Sequence, residues 1–517
     1  MRRTFILLFA SSCLLSGLVF QTRAVAELSA PVAYAYGVAP DTYVPNAAPA
    51  AEVAADFNRD GMLDIVVTHR RDASVYLFPG NGDGTLQSAV QISVGVPIQG
   101  NVYVADFNGD ALLDLFLPSA DGRAIVVTGK GDGAFNQAII SSSFNLAGYY
   151  PRGWAVGKFF NRSTLDIAFT LPTNAGKPAR YGVIPGNGDG TFGDAIVGPG
   201  DLVYSRWIAP ADFNRDGKLD LAVADGHGTS ANTGTARLVM LLGNGDGTFK
   251  VGEHYASPQF PSGNGWHDVN AVGHPENVAV ADLANRGVLD VIVSDYSSTI
   301  NVFRGNGDGT FEAAVSYNPG NYPRNVLPVD INGDTRLDLV VTNVGIGIGG
   351  AIFERVGAQA GSVSVLFGNG DGSFQQPITY NPSAFPGYTL AADLNRDGHP
   401  DLVTTQVFDG HAIHVMLNRT AGSNLPPTFV NPPSIVAAGD HAHFSALADD
   451  DGGEAMLTYH WSTIGPTPAP VQFLVNDCSG ARDTEAKIAA TGTYVFQCKV
   501  TDGQGLSVIK LVGVTLP

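Results

Sequence analysis

A nine-residue loop that recurs along the chain constrains the fold more than any other feature of this sequence. The clearest copy lies within ADFNRDGKLDL, residues 211–221. Oxygen-bearing side chains occupy its first, third, fifth and ninth positions: Asp212, Asn214, Asp216 and Asp220. Gly217 follows the third of them, where a sharp turn favours a residue without a side chain. Hard divalent cations take oxygen ligands from loops of this kind, so the spacing predicts a Ca²⁺ loop.

An EF-hand is the nearest alternative for such a loop. It needs a bidentate glutamate at the twelfth position and a helix on each side. Val223 occupies the twelfth position here, and the flanks WIAPADF and LDLAVAD are short, apolar and partly β-branched. Such runs favour strands, so the loop is predicted to join two strands rather than two helices.

Seven copies of the loop can be recognised, and we number them in chain order. Their first positions are residues 56, 106, 158, 212, 282, 330 and 393, which are 48 to 70 residues apart. A period of this size, with several short strands in each unit, is typical of repeat architectures. Closing seven four-stranded units into a ring gives a seven-bladed β-propeller.

Five loops keep all four oxygen-bearing side chains and are predicted to bind calcium. The predicted ligands are Asp56, Asn58, Asp60, Asp64, Asp106, Asn108, Asp110, Asp114, Asp212, Asn214, Asp216, Asp220, Asp330, Asn332, Asp334, Asp338, Asp393, Asn395, Asp397 and Asp401. Loops 2 and 6 have Ala111 and Thr335 in place of the glycine. The alternative for these loops is a set of Asx-rich turns that cap strands without an ion.

The other two loops have lost ligands. Loop 5 has Ala284 and Arg286 at two ligand positions, and we expect Arg286 to supply the positive charge of the ion. Loop 3 keeps only Asp166, so no ion is expected there.

A glycine-rich turn related to GNGDGTF follows the third strand of most units. Its six copies begin at Gly80, Gly129, Gly186, Gly243, Gly305 and Gly368. Asn-Gly and Asp-Gly pairs favour hairpins because both residues tolerate positive φ, whereas a phosphate-binding or second metal site is the alternative. The seventh unit lacks this turn. Residues 31–38 resemble the fourth strand of another unit, so they are predicted to complete the seventh blade and close the ring.

The repeats resemble the FG-GAP or VCBS repeats of integrin α-subunits and many secreted bacterial proteins. The resemblance covers residues 27–421 and implies a seven-bladed β-propeller with Ca²⁺ as its cofactor. After a linker at 422–433, residues 434–517 resemble a PKD or immunoglobulin-like β-sandwich, most clearly in GTYVFQCKVTDGQG. The fold class expected from the sequence is therefore all-β, a propeller followed by a sandwich.

Export is predicted from the first 26 residues. They contain two early arginines, an apolar run and a small-residue site at 24–26, which together indicate a signal peptide. Removing them takes away three arginines and no acid, which leaves a net charge of −22. Nucleic acid is therefore an unexpected partner. No later stretch is long and apolar enough to span a bilayer, so a secreted, cell-surface or periplasmic location is expected.

Two cysteines remain after signal removal, Cys478 and Cys498. In an exported protein they are expected to form a disulfide, with two unpaired thiols as the alternative. Trp461 is expected in the core of the same domain.

Candidate ligand-binding residues come from a second pattern. Arg152, Arg206 and Arg324 each lie six residues before the first loop position of their unit, and Glu276 has that place in the fifth unit. Their convergence near the ring centre indicates an anionic ligand, whereas ion pairs with acids such as Glu276 are the alternative. Trp266 and His267 lie in one of the longest insertions and are a second candidate contact, with an ordinary surface loop as the alternative.

Three functions remain open on the sequence alone. The favoured one is a monomeric ligand-binding or adhesion module for a glycan or an extracellular protein. A carbohydrate-active enzyme, such as a polysaccharide lyase, is the second, although no nucleophile elbow or HExxH motif is present and no catalytic residue is assigned. A structural envelope module is the third.

Overall fold

The computed structural model describes residues 28–36, 49–69, 74–119, 121–141, 151–172, 178–200, 202, 205–226, 237–257, 275–295, 299–345, 360–382, 386–406, 412–419, 427–438, 441–449, 457–465, 467–488, 490–501 and 507–516. Regular structure within these residues is β-strand throughout, apart from a short 3-10 helix at Ser479–Arg482. The all-β prediction is confirmed. The proposed signal peptide lies outside the described residues.

Strands β1 to β28 form seven four-stranded antiparallel sheets, which we number in chain order. Sheet 1 contains β2 (Pro49–Ala55), β3 (Asp64–His69), β4 (Ser74–Phe78) and β5 (Val90–Ser93). Sheet 2 contains β6 (Tyr103–Ala105), β7 (Asp114–Pro118), β8 (Ala124–Val127) and β9 (Ile139–Ile140). Sheet 3 contains β10 (Trp154–Gly157), β11 (Asp166–Leu171), β12 (Arg180–Ile184) and β13 (Ile196–Val197). Sheet 4 contains β14 (Ser205–Ala211), β15 (Asp220–Asp225), β16 (Arg237–Gly243) and β17 (Phe249–Ala256).

The remaining three sheets follow the same order. Sheet 5 contains β18 (Pro275–Ala281), β19 (Asp290–Asp295), β20 (Thr299–Phe303) and β21 (Val315–Tyr317). Sheet 6 contains β22 (Pro323–Val329), β23 (Asp338–Asn343), β24 (Ser362–Leu366) and β25 (Ile378–Tyr380). Sheet 7 contains β26 (Pro386–Ala392), β27 (Asp401–Gln406), β28 (Ala412–Met416) and, from the other end of the chain, β1 (Val32–Ala35).

The pairing of β1 with β28 confirms that the predicted stretch supplies the fourth strand of the last sheet. The two strands are antiparallel, with Tyr34 opposite Ile413. Sheet 7 is thus completed by an N-terminal strand, which covers an edge that β28 would otherwise expose.

Apolar side chains fill the space between neighbouring sheets. The second strand of each sheet is buried on both faces, and its run of apolar and β-branched residues suits that position. One cluster combines Leu221 and Val239 of sheet 4 with Ala168 and Val183 of sheet 3. Another combines Ile65 of sheet 1 with Val403, Ile413 and Val415 of sheet 7. The sheets are therefore held together by sheet-on-sheet packing.

First strands of consecutive sheets lie side by side. The contacts found are β2 with β6 and β26, β14 with β10 and β18, and β22 with β18 and β26. Since the strands are antiparallel, the first-to-second and third-to-fourth connections of each sheet leave from one end, which we call the loop end. The other connections leave from the opposite end, which we call the insertion end because the long segments 226–236, 257–274 and 344–361 are there.

The C-terminal strands form two further sheets. One contains β29 (Thr428–Ala438), β30 (His441–Asp449), β33 (Asp483–Ile488) and β32 (Val471–Phe473), and the other contains β31 (Thr458–Thr463), β34 (Gly492–Thr501) and β35 (Ser507–Leu516). Trp461 is fully buried in their shared core, as predicted, and its Nε1 donates to the Ala481 carbonyl at 2.9 Å. Arg419 pairs with Asp449, at 2.6 Å, and joins this part of the chain to the end of sheet 7.

The predicted disulfide is not formed. Cys478 is exposed, whereas Cys498 is buried, and both are free thiols. Strand β31 lies between them, since Tyr459 bridges to Cys478 on one side and Trp461 pairs with Cys498 on the other. Adjacent strands are about 4.8 Å apart, so two strand spacings exceed the Cα separation of about 7 Å that a disulfide can span. Burial raises the pKa of Cys498 to about 12, so this thiol stays protonated.

Candidate functional site

The side chains of an intact loop are oriented by its own backbone. In loop 1, the Asp56 carboxylate accepts hydrogen bonds from the amides of Asp60, at 3.2 Å, and Gly61, at 2.9 Å. Asn58 Oδ1 also accepts from the Asp60 amide, at 3.0 Å. The same bonds recur in loops 4 and 7. The backbone of each turn thereby fixes the first and third side chains.

The loops that lack glycine keep the same backbone shape. Ala111 in loop 2 has a φ of 63° and Thr335 in loop 6 has a φ of 68°, where Gly61 and Gly217 have φ values of 82°. Their amides still donate to the first aspartate, from Ala111 at 2.9 Å and from Thr335 at 2.7 Å. The loop geometry therefore overrides the preference of these residues for negative φ.

The ninth aspartate has a role that sequence analysis did not predict. All seven copies, Asp64, Asp114, Asp166, Asp220, Asp290, Asp338 and Asp401, are completely buried. In loop 1, Asp64 accepts from the Phe57 amide at 3.0 Å and from the Gly80 amide of the glycine-rich turn at 2.9 Å. This carboxylate ties the loop to the hairpin turn of the same sheet. Its presence in every loop, including the degraded loop 3, was the available signal.

Burial and neighbouring acids shift the pKa of this carboxyl in the intact loops. Burial is the main cause that raises the pKa of Asp338 and of Asp401 to about 7, and the other acids of each loop raise it further. Backbone amides oppose the shift. A bound cation would favour the ionised form, because a positive charge beside a carboxylate stabilises its negative charge.

Each degraded loop places an arginine where the intact loops have their fifth-position aspartate. Arg162 Nη2 lies 2.5 Å from Asp166 Oδ1 in loop 3, and Arg286 Nη2 lies 2.7 Å from Asp290 Oδ1 in loop 5. A guanidinium thus meets the buried carboxylate in both loops that have lost ligands. The five intact loops carry an acid at that position instead.

The donor set of the intact loops suits a hard cation because it consists of carboxylate and carboxamide oxygens. In the arrangement described, several of these oxygens accept hydrogen bonds from loop amides. Among the described residues, no three His, Cys, Asp or Glu side chains are placed so that they could hold a metal ion as they stand.

The glycine-rich turns are hairpins, as predicted, and they also connect neighbouring sheets. The last glycine of a turn donates its amide to the carbonyl of the second loop residue in the preceding sheet. Examples are Gly133 to Phe57 at 3.2 Å and Gly190 to Phe107 at 3.0 Å. Gly84 of sheet 1 donates in the same way to Leu394 of sheet 7, at 3.2 Å. This bond lies where the first and last sheets meet.

Sheet 7 lacks the glycine-rich turn, and Asn418 makes both of the turn's contacts there, one to the ninth aspartate and one to the preceding sheet. Its amide donates to Asp401 Oδ1 at 2.7 Å, and its side-chain Nδ2 donates to the Ile331 carbonyl of sheet 6 at 2.6 Å. The residue is 1% exposed, so its Asn-Arg-Thr sequence is not accessible to glycosylation in the folded protein.

The predicted ligand residues are only partly brought together. Arg152 is exposed at the insertion end, just before β10. Arg206 and Arg324 occupy the same place in β14 and β22, at the β-bulge near the start of each strand, and Glu276 has that place in β18. Nothing is described of the Arg206 side chain. Trp266 and His267 lie outside the described residues.

Arg324 lies among aromatic residues. Its guanidinium stacks over the Tyr388 ring of sheet 7, 4.5 Å from the ring centre. Tyr388 also contacts Trp207 of sheet 4, with ring centres 6.1 Å apart. First strands of sheets 4, 6 and 7 thus meet through these three side chains. A further buried polar residue, Glu52 of β2, lies within electrostatic range of Arg324 and was not identified from the sequence.

Comparison with known families identifies the repeats. Three segments, residues 56–117, 282–341 and 354–404, match the FG-GAP-like repeat family. The matched segments contain loops 1, 2, 5, 6 and 7. Together with the four-stranded antiparallel sheets, these matches support an FG-GAP repeat β-propeller, which as a fold suggests a protein-interaction or ligand-binding module.

Two solved structures resemble the chain distantly. Both are crystal structures of BBS1N in complex with ARL6DN. The crystal soaked with mercury shows 12% identity and a TM-score of 0.46, and covers 77% of this chain and 97% of the matched one. The crystal soaked with lead shows 11% identity and a TM-score of 0.44, and covers 74% and 96%. This likeness is too distant to indicate a partner here. Comparison with curated proteins gives no match.

Within the described ranges, no helix combines the length and apolar character that a bilayer crossing requires.

Proposed function

We propose that this FG-GAP repeat protein is an exported, calcium-stabilised, seven-bladed β-propeller that acts as a ligand-binding or adhesion module. Its seven four-stranded sheets are the blades, and the pairing of β1 with β28 closes the ring. The two C-terminal sheets form a PKD or immunoglobulin-like β-sandwich that serves as a spacer or second binding domain.

The observation that carries the calcium proposal is the placement of Arg162 and Arg286. A buried ninth carboxylate needs a positive partner, because an unpaired buried charge is costly. Where the fifth position is arginine, that side chain supplies the partner directly. Where the fifth position is aspartate, two further acids surround the same carboxylate, and a divalent cation supplies the missing charge. An arginine and a divalent cation are thus two alternative ways to neutralise the same buried carboxylate.

Calcium then stabilises the ring at its loop end. Each ion draws together the first, third, fifth and ninth side chains of a loop, and the ninth side chain already ties that loop to the glycine-rich turn. Since such turns donate to the preceding sheet, as Gly133 does to Phe57, ordering one loop also orders the junction beside it. Binding only to the folded chain raises stability by mass action.

Ligand binding is proposed for the insertion end. The long connections 226–236, 257–274 and 344–361 all leave the sheets there, and variable loops on a rigid scaffold are common binding surfaces. Arg152 is exposed at this end and is available to an acidic group of a glycan or an extracellular protein. Arg324 is already stacked on Tyr388, so we assign it a supporting role at the ring centre.

A binding screen with a matched pair of variants tests this function. The mature protein is applied to a glycan array and used in pull-downs of extracellular proteins, at millimolar calcium and in chelator. For a captured ligand, Arg152→Ala should reduce affinity, whereas Lys158→Ala should not. Lys158 is an exposed cation just beyond the other end of β10, at the loop end. Equal loss from both variants, or loss from Lys158→Ala alone, would contradict binding at the insertion end.

A further inference from the structure

The junction between sheets 7 and 1 contains a carboxylate at a position where the other sheets have uncharged residues. Glu52 lies four residues before the first position of loop 1 and pairs with Val67. In five other sheets, the residue four places before the first loop position pairs with the second strand in the same way. These residues are Trp154, Ile208, Val278, Val326 and Thr389. All five are buried, and Val102 has the corresponding place before β6. None of these residues is ionisable.

The Glu52 carboxylate is shielded from solvent and lacks a hydrogen-bond partner. The residue as a whole retains some exposure, but both carboxylate oxygens are buried without a hydrogen-bond partner. Thr405 of sheet 7 is the side chain that most favours its charged form. An ionised carboxylate in such a place loses hydration that the protein does not replace.

At other junctions, the residue equivalent to Thr405 connects the two sheets by donating a hydrogen bond to the next one. Thr170 donates to the Ser205 carbonyl of the next sheet at 3.2 Å, and Ser294 donates to the Arg324 carbonyl at 3.2 Å. Thr405 Oγ1 instead donates to the Tyr388 carbonyl of its own sheet, at 3.5 Å. The junction between sheets 7 and 1 therefore places an acid where its counterparts have a neutral polar link.

The groups that face Glu52 leave its charge poorly compensated. Arg324 of β22 favours the ionised form from a distance, but its guanidinium is held over Tyr388 of β26. Tyr103 is the titratable residue of neighbouring β6, and its hydroxyl donates to the Trp154 carbonyl at 2.7 Å. On β3, Asp64 lies opposite Ala55 at the loop end and is held by backbone amides.

We propose that Glu52 makes the junction between sheets 7 and 1 sensitive to pH, closing the ring firmly while its carboxyl is protonated and loosening it when the carboxyl ionises. Burial, the largest effect, raises the pKa of Glu52 from 4.5 to about 8. A carboxyl with a raised pKa in the folded state stabilises the fold below its unfolded pKa, and this stabilisation is lost as the pH rises through about 8. The sensitive window therefore runs from the ordinary pKa of a glutamate, 4.5, up to about pH 8.

Melting curves of four proteins between pH 6 and pH 9.5 test this proposal. Saturating calcium is kept in all samples so that the loop carboxylates remain in one state. The proteins are the wild type, Glu52→Gln, Glu52→Val and, as a matched control, Glu312→Gln, which neutralises an exposed glutamate. Glu52→Val restores the residue type of sheets 5 and 6.

The melting temperature of Glu52→Gln should exceed that of the wild type by several degrees at pH 9.5, and this excess should shrink steadily as the pH falls below 8 towards pH 6. Glu52→Val should show the same pH trend, and Glu312→Gln should follow the wild type. Hydrogen exchange should accelerate above pH 8 in β1, β2 and β28 of the wild type, relative to Glu52→Gln at the same pH. A Glu52→Gln difference that is constant with pH, or exchange unchanged at this junction, would overturn the proposal.

Discussion

Arg286 and Asp290 form an ion pair of 2.7 Å inside a loop that has lost two of its four oxygen ligands. Arg162 and Asp166 form the same pair in loop 3. The two pairs show how a buried carboxylate at the ninth position is neutralised when the loop itself carries too few acids. They also explain why the two degraded loops have arginine at the same position.

Loop 5 should become a calcium loop when its two missing ligands are restored. The double variant Ala284→Asn/Arg286→Asp recreates the four-oxygen pattern, and Gly287 already follows it with a φ of 69°. Native mass spectrometry in calcium should show one more bound ion than in the wild type. The single variant Arg286→Asp is the control, since it removes the cation without completing the ligand set. An unchanged ion count in the double variant would contradict the proposed role of Arg286.

Asp166 should stabilise the protein independently of calcium. Asp166→Ala leaves the buried amides of Phe159 and Gly186 without their acceptor and leaves Arg162 without its partner. We expect a loss of about 3 kcal/mol in the free energy of unfolding, as is common when one member of a buried pair is removed. Urea denaturation should give the same loss in calcium and in chelator. A loss seen only in calcium would mean that loop 3 binds an ion.

Thr335→Gly should stabilise loop 6. Thr335 has a φ of 68°, which a β-branched residue adopts at a cost and glycine adopts freely. The expected gain is about 1 kcal/mol, reduced by the greater entropy of glycine in the unfolded chain. Gly61→Ala is the reverse change at the same position of loop 1 and should destabilise by a similar amount. Denaturation midpoints of both variants in calcium measure the effect, and a loss in Thr335→Gly would contradict it.

Asn418→Ala should weaken the junction between sheets 6 and 7. The variant keeps the amide that binds Asp401 but loses the side-chain bond to the Ile331 carbonyl. A buried carbonyl left without its donor costs about 2 kcal/mol. Asn161→Ala is the control, since Asn161 is exposed and its amide donates to Gly245 through the backbone. Equal stability of the two variants by thermal melting would show that Asn418 makes no such contribution.

Much of the architecture follows from local sequence signals. The loop copies, the Asn-Gly and Asp-Gly turns and the runs such as 220–225 define strands and connections within each repeat, because these features depend on nearby residues. The strand at Val32–Ala35 was also predictable, since its sequence resembles another fourth strand while the last unit lacks one.

Features that depend on packing between distant residues were not predictable in the same way. Spacing alone gives no sign that strand β31 separates Cys478 from Cys498. The pattern of three arginines did not reveal that Arg324 stacks on Tyr388. Glu52 has no motif around it, and its burial becomes evident only when sheets 7 and 1 are side by side.

Counting the calcium ions bound by the mature protein tests the central claim most directly. Isothermal titration calorimetry and native mass spectrometry should find five ions in the wild type, one for each intact loop, and four in Asp216→Ala. The melting temperature should rise with calcium and saturate at about 1 mM, the range of extracellular modules. Absence of bound calcium, together with a melting curve that is identical in calcium and in chelator, would contradict the account.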